Sequence, residues 1–506
     1  MGTSSQPYET VVSYADQIHN LEQADHLLRW DSDVAMPPGG TAARSSQRST
    51  LSKTIYDLRS SAALGRALDR LDDAALDDDQ RAVVREVRRQ HEVAAAVPRE
   101  LNRRLADATA EAHEAWKRAK RQDDWSTFAP AFERHVDLRR EWAAAVDPDG
   151  DPYEVLWKNK LGYESQPFVD LDTVTRVFDR VRETLVPLIE SIRASDTELA
   201  ANAFTDRGPY DTDAQLRANR RLLDLVGLDR SRARFDEAPH PFSYGNPYDV
   251  RLTTRFDEST PVDAITATMH EFGHTTYHHG LPQEAYGTPL GRARGLTIHG
   301  SQSGVWENHV AKSRAFWEFL LPELREVFPQ LDSVSVADAY EAVNTVREES
   351  LIRTAADEVT YHLHVVIRTE IERALVAGDI EVSDVPQIWG DKYERYLGVR
   401  PETHRDGPLQ DPHWAVNLPG FINYTLGHGV LAAQVWDAMA ADVGDVDDLL
   451  RRGEFDPIHE WMTESIHRHG QRYRPQELVQ RATGREITAD PFVSYVTDKF
   501  ERLYDL

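Results

Sequence analysis

The sequence predicts an all-α protein carrying one small β-sheet, and three observations support that expectation. Almost every long segment has helical periodicity. The connectors between these segments are short and either polar or proline-containing. The one region that differs is Ala233 to Phe256, rich in prolines and aromatics, which contains the β-type run Val250-Arg251-Leu252-Thr253-Thr254-Arg255-Phe256. A chain of 506 residues can bury a large core, and no repeat period or low-complexity tract divides it. A single domain over 1–506 is expected, with 1–228 as helical scaffold and lid and 229–506 as the half that carries the chemistry.

In chain order, helices are expected over Asp79–Val97 (stopped by Pro98), Asp170–Arg193, Ala214–Leu228, Val334–Ala377 and Val430–Ala441. Met36-Pro37-Pro38-Gly39-Gly40 and Asp147 to Asp151 read as connectors. The small sheet could offer an exposed edge that holds an extended peptide by main-chain pairing. A further helix begins at Thr260-Pro261-Val262-Asp263. Threonine suits the N-cap there, proline the first helical position, and an acid the first turn. Gly280 and Pro282 supply its stop. Ile265, Met269, Phe272 and Thr276 form one stripe of it, and Ala267, His270, Glu271 and His274 the opposite face.

That second face holds His270-Glu271-Phe272-Gly273-His274, the H-E-x-x-H spacing. Histidines four apart lie one turn from each other on a helix, so both imidazoles can reach one Zn²⁺. The intervening glutamate then stands beside a metal-bound water as general base. A chance match is the competing explanation, and the capped helical setting weighs against it.

Composition narrows the remaining classes. Hydrophobic content of 40% with 28% charged residues describes a soluble globular chain, and no run of eighteen apolar residues suggests a membrane span. Met1 to Gln6 lacks the pattern of a signal peptide, so a cytoplasmic location is expected. The net charge is −27, and the basic residues are nearly all arginine; the lysines are Lys53, Lys117, Lys120, Lys158, Lys160, Lys312, Lys392 and Lys499. An acidic, lysine-poor surface suits molar salt, where self-repulsion is screened, and a halophilic protein is expected. The same charge argues against a nucleic-acid partner. With no cysteine, disulfides, thiolate metal sites and a cysteine nucleophile are excluded.

Ordered motifs across the chain carry a resemblance. They are Leu28-Arg29-Trp30-Asp31 with Met36-Pro37-Pro38-Gly39, His240-Pro241-Phe242, Asp249-Val250-Arg251-Leu252-Thr253, the H-E-x-x-H helix, Trp306-Glu307-Asn308, Ile352-Arg353-Thr354-Ala355-Ala356-Asp357 and Gln410-Asp411-Pro412-His413-Trp414. In this order they resemble the carboxypeptidase Taq (M32) family of metallocarboxypeptidases over essentially the whole length. The resemblance implies a large helical gluzincin fold with a deep cleft, like that of neurolysin and angiotensin-converting enzyme. It also implies a homodimer and the release of C-terminal residues from peptides. His270 and His274 would bind one zinc or cobalt ion, and Glu271 would activate water. Arg353 would receive the substrate's terminal carboxylate, although an ion pair with Asp357 at i+4 is the competing role. His413 would line the substrate site or serve as a core or capping histidine. Asp249 and Arg251 would contribute wall contacts or a purely structural pair.

Two segments depart from the family pattern, at Gly300 and Gly304 in the first and at Phe421 in the second. The family reads H-E-S-Q-S-R where this chain has His299-Gly300-Ser301-Gln302-Ser303-Gly304, so Gly300 stands at the third metal ligand. The family's G-Y-F-P loop appears as Gly420-Phe421-Ile422-Asn423, one residue shorter, which puts Phe421 where a tyrosine is expected. His278 lies about 6 Å along the axis beyond His274 and about 12 Å from His270, too far to converge with both. Glu307 lies about 10 Å along the axis from Gly300, which makes direct substitution unfavourable. A carboxypeptidase is therefore expected, with a peptide-binding homologue impaired in catalysis, or paired with an active paralogue, as the alternative.

Overall fold

Amphipathic stripes decide where the helices pack. In Arg99–Gln122 the residues Leu101, Leu105, Ala108, Ala112, Ala115 and Ala119 are buried at helical spacing, while the opposite face carries charge. The same logic recurs through a computed structural model that describes residues 5–72, 74–160, 169–347 and 349–506. Met1 to Ser4, which begin the segment lacking a signal-peptide pattern, lie outside them. Helix accounts for 71% of the structure and strand for 3%, so the all-α expectation holds.

Three expected helices form close to their expected bounds, at Asp78–Ala96, Leu171–Ala194 and Thr212–Leu225. The span Val334–Ala377 is corrected. It comprises Val336–Asn344, a 3₁₀ turn at Arg353–Ala355, and Thr360–Ala377. Asp357 accounts for the break, because its carboxylate accepts from the backbone N–H groups of Val359, Thr360 and Arg347 and starts a new helix. The path expected from Val430 is helical, but a π-helical stretch, Tyr424–Leu431, leads into Ala432–Val443.

The H-E-x-x-H helix runs from Val262 to Gly280, with Pro261 at the cap and the Thr260 hydroxyl accepting from the Val262 N–H at 3.2 Å. Ile265, Met269 and Phe272 are fully buried, as the apolar stripe requires. The opposite face is also enclosed: Glu271 and His274 are buried, and His270 keeps partial exposure. A three-stranded sheet adjoins this helix through two of its strands. The three are β1 (Ala233–Glu237), β2 (Ser243–Gly245) and β3 (Val250–Thr254), in the order β1-β3-β2, with β3 parallel to β1 and antiparallel to β2. The most β-like run of the sequence is thus the central strand, and its main chain is paired on both sides. The Thr254 hydroxyl donates to the Ala264 carbonyl at 3.2 Å and ties the sheet to the helix.

The chain divides into two compact units, 1–95, 200–343 and 435–486 forming the first and 96–199, 344–434 and 487–506 the second. Each draws on both 1–228 and 229–506. Among the described residues no helix is long and apolar enough to cross a membrane.

Candidate active site

In the first unit, the H-E-x-x-H helix and the helix Leu296–Gly304 meet at Gly273. A Cβ added there would lie 2.5 Å from the Gln302 carbonyl oxygen and 2.7 Å from Ser303 Cα, so the two backbones touch. This contact fixes what each histidine faces. His270 and His274 project from one face with ring centroids 4.9 Å apart, edge to face. His274 stacks on His299 at 4.3 Å, and His299 Nε2 lies 3.2 Å from His278 Nε2. Burial pushes His278 down to about 3 and holds His299 well below the usual histidine range, so both rings are neutral.

His270 faces the other way along the contact. Its Nδ1 lies 2.7 Å from Glu307 Oε2, and the second oxygen of Glu307 accepts from Lys312 Nζ at 3.0 Å. Helix rise alone sets Glu307 about 10 Å from the Gly300 position; the crossing of the two helices nevertheless brings its carboxylate onto the motif's first histidine. Residues Val305–Ala311 are π-helical, with the Lys312 N–H donating to the Glu307 carbonyl at 3.1 Å. An α-helical turn would set residues five apart on different faces, whereas i→i+5 geometry stacks Lys312 over Glu307. Burial acts to lower the His270 pKa, but the Glu307 hydrogen bond and charge outweigh it, and the net shift is upward. Glu271 is raised by burial, with His270 partly opposing.

These donors suit a divalent cation of intermediate softness. Two imidazoles come from one helical face, a carboxylate already touches one of them, and the chain has no thiolate to favour a softer ion.

The second unit gathers another set. Arg353 sits in the 3₁₀ turn, buried, and not on a helix surface paired with Asp357. Its Nε donates to Asp411 at 3.1 Å and its Nη1 approaches the Tyr361 hydroxyl at 3.4 Å, while Nη2 donates to no described residue. The rings of Phe421 and Tyr424 wall the guanidinium at 5.5 Å each. Burial works against the charge, but Tyr361, Asp411 and Tyr424 reverse it and the pKa is raised. Arg368 also reaches Asp411, at 3.3 Å, but its other nitrogens are spent on the His364 carbonyl, Tyr393 and Gln410. Burial would raise the Asp411 carboxyl, yet Arg368, His413 and Arg353 together hold it well below the usual range.

His413 stands between Asp411 and Tyr424, with Nδ1 at 3.1 Å from the carboxylate and Nε2 at 3.2 Å from the hydroxyl. It is neither a core nor a capping residue in isolation but the middle of a chain of three. Beneath this loop, buried Glu372 accepts from the Gly420 N–H at 3.1 Å and from the Tyr153 hydroxyl at 2.9 Å, and burial pushes it up to about 7. Asp411, Tyr424 and Glu372 carry no role in the sequence reading. The Asp411-x-His413 spacing is the signal that could have found the first.

Asp249, just before β3, pairs at 2.9 Å with Arg251 on that strand, and the Arg251 guanidinium lies 4.6 Å from the Trp30 ring centre. Their observed partners are structural.

With this geometry, comparison with known proteins is decisive. The model of the carboxypeptidase Taq (M32) metallopeptidases matches residues 10–500. The chain belongs to the M32 metallopeptidases. Thermostable carboxypeptidase 1 of Thermus thermophilus is 37% identical over 514 residues, covering 99% of this chain and 100% of that protein. Carboxypeptidase 1 of Bacillus subtilis is 32% identical, over 96% of this chain and 97% of that one. Among solved structures, the M32 carboxypeptidase of Deinococcus radiodurans R1 superposes with a TM-score of 0.94 at 34% identity, covering 99% of this chain and 100% of that one. This M32 chain therefore has the metallocarboxypeptidase fold, and its family implies a divalent metal.

Proposed function

We propose that this chain releases C-terminal residues from peptides, with one divalent cation, zinc or cobalt, held by His270 and His274 and with Glu271 as general base. The reading is supported by an H-E-x-x-H motif on an enclosed helix face and by Arg353, whose Nη2 donates to no described residue, in an aromatic-walled site. When bound, such a cation supplies Lewis-acid polarisation and a water of lowered pKa. Burial makes Glu271 a stronger base than an exposed carboxylate, which suits it to take a proton from water and return it to the leaving amine. Arg353 recognises the terminal carboxylate, and Asp411 orients it through Nε. His413, aligned by Asp411 through Nδ1, accepts from the Tyr424 hydroxyl at Nε2 and so fixes that hydroxyl beside Phe421, the position where the resemblance expects a tyrosine. We further infer a halophilic, cytoplasmic protein that forms a homodimer and takes peptides, without nucleic acid or membrane as partners.

Gly300 favours a second reading, a peptide-binding homologue with impaired hydrolysis. Metal content by mass spectrometry after purification in high salt, together with C-terminal release from short peptides, separates the two. Metal-dependent release supports the enzyme; metal-free protein with no release leaves the binder.

A further inference from the structure

The family's third ligand is glycine in this chain, so whatever metal affinity remains depends on how well the two histidines are presented. We propose that Glu307 is a positioning residue for the cation site: it sets the tautomer and orientation of His270 so that Nε2 is the atom offered to the metal. The inference rests on the metal-dependent reading above.

A carboxylate can only accept a hydrogen bond, so the 2.7 Å contact between Glu307 Oε2 and His270 Nδ1 places the ring proton on Nδ1. The lone pair then resides on Nε2. A metal-binding histidine whose other ring N–H is held by a carboxylate is a recurring arrangement, because it fixes ring rotation and raises ligand basicity. Three features keep Glu307 in that pose. Lys312 Nζ holds its other oxygen at 3.0 Å, Asn308 Oδ1 holds Lys312 at 2.8 Å, and the π-helical turn stacks residue 312 over residue 307. The neighbouring motif histidine has a different environment: His274 is stacked against the His299 ring at 4.3 Å, in the part of the helix contact where residue 300 lies. Among the described contacts, Glu307 is thus a carboxylate placed to govern the presentation of His270.

The test is metal affinity, read without activity. Zinc and cobalt dissociation constants are measured by chelator competition in high salt for wild type, Glu307→Ala, Glu307→Gln and Lys312→Met, with the visible d–d spectrum of each cobalt-loaded protein. Glu307→Ala is expected to weaken binding by about 10- to 100-fold. Glu307→Gln, whose amide oxygen can still accept from Nδ1, is expected to recover part of that loss. Lys312→Met is expected to cost only a few-fold. The d–d band shape is expected to persist at saturating cobalt, because the ligands themselves are unchanged. Wild-type affinity in a folded Glu307→Ala protein overturns the proposal. So does an altered band shape, which makes Glu307 a ligand. If Glu307→Ala does not fold, Lys312→Met and Glu307→Gln still decide, and unchanged affinity in both overturns it. Metal-dependent release by the wild type alongside unchanged affinities would leave the carboxypeptidase reading standing without this one.

Discussion

The metal-motif region of the first unit and the arginine region of the second solve opposite problems. In the first, residue 300 is glycine, and Glu307 reaches His270 from a π-helical turn. The second gathers cationic charge: two buried guanidiniums share Asp411, and Nη2 of one of them, Arg353, donates to no described residue. The difference shows where each kind of chemistry tolerates drift. Recognition of an anion rests on charge with several partners, whereas presentation of a cation site rests on a few oriented lone pairs.

If the first region supplies hydrolysis and the second supplies end recognition, substitutions should separate them kinetically. Glu271→Gln should lower kcat by about 10²- to 10⁴-fold with KM nearly unchanged and the helical circular dichroism retained. A folded variant with normal kcat would remove the general base from the scheme. Arg353→Ala should raise KM for peptides with a free C-terminus by about 10- to 100-fold, as expected for losing a charged hydrogen bond, and should leave C-terminally amidated peptides unaffected. Equal losses on both would mean that the arginine is structural. His413→Ala, which breaks the link from Asp411 to Tyr424, should mimic Tyr424→Phe in kcat, and the double variant should be no worse than either alone.

A further contrast concerns stability against pH, where the two regions have opposite slopes. Burial lowers His467, in the first unit, to about 3. Its neutral form is the native one, so its contribution is whole above the ordinary value of 6.5 and is lost as pH falls from there towards 3. Glu372, in the second unit, is raised from 4.5 to about 7. Its contribution is whole below 4.5 and is lost as pH rises through 7, because the unfolded state gives up its proton first. Each slope is at most about 1.4 kcal/mol per pH unit. Glu372→Gln should flatten the decline between 4.5 and 7 in denaturant titrations, and an unchanged slope would remove Glu372 as its source.

Legibility in the sequence follows regularity. The H-E-x-x-H helix and its apolar stripe are readable because Ile265, Met269 and Phe272 recur at helical spacing, although the N-cap is Pro261 and not the expected Thr260. Arg353 is readable only through its motif, since the helix expected around it is interrupted by Asp357, a local cap that outweighs the periodicity. The Asp411–His413–Tyr424 chain joins residues across a loop whose path no period describes. Glu307 is missed for a different reason. Distance along one helix says nothing of a neighbouring helix, and a one-residue change in turn size moves its partner Lys312 to the same side.

Gly273 lies inside the motif itself. Two helices that meet through a hydrogen atom have no slack, so the gap between them is dictated at the fourth letter of H-E-x-x-H and not by the side chains on either flank. A methyl group at that letter would act as a wedge, parting His270 from Glu307 and unstacking His274 from His299 together. The spacer of the motif is therefore a gauge, and it keeps its setting whatever residue occupies position 300.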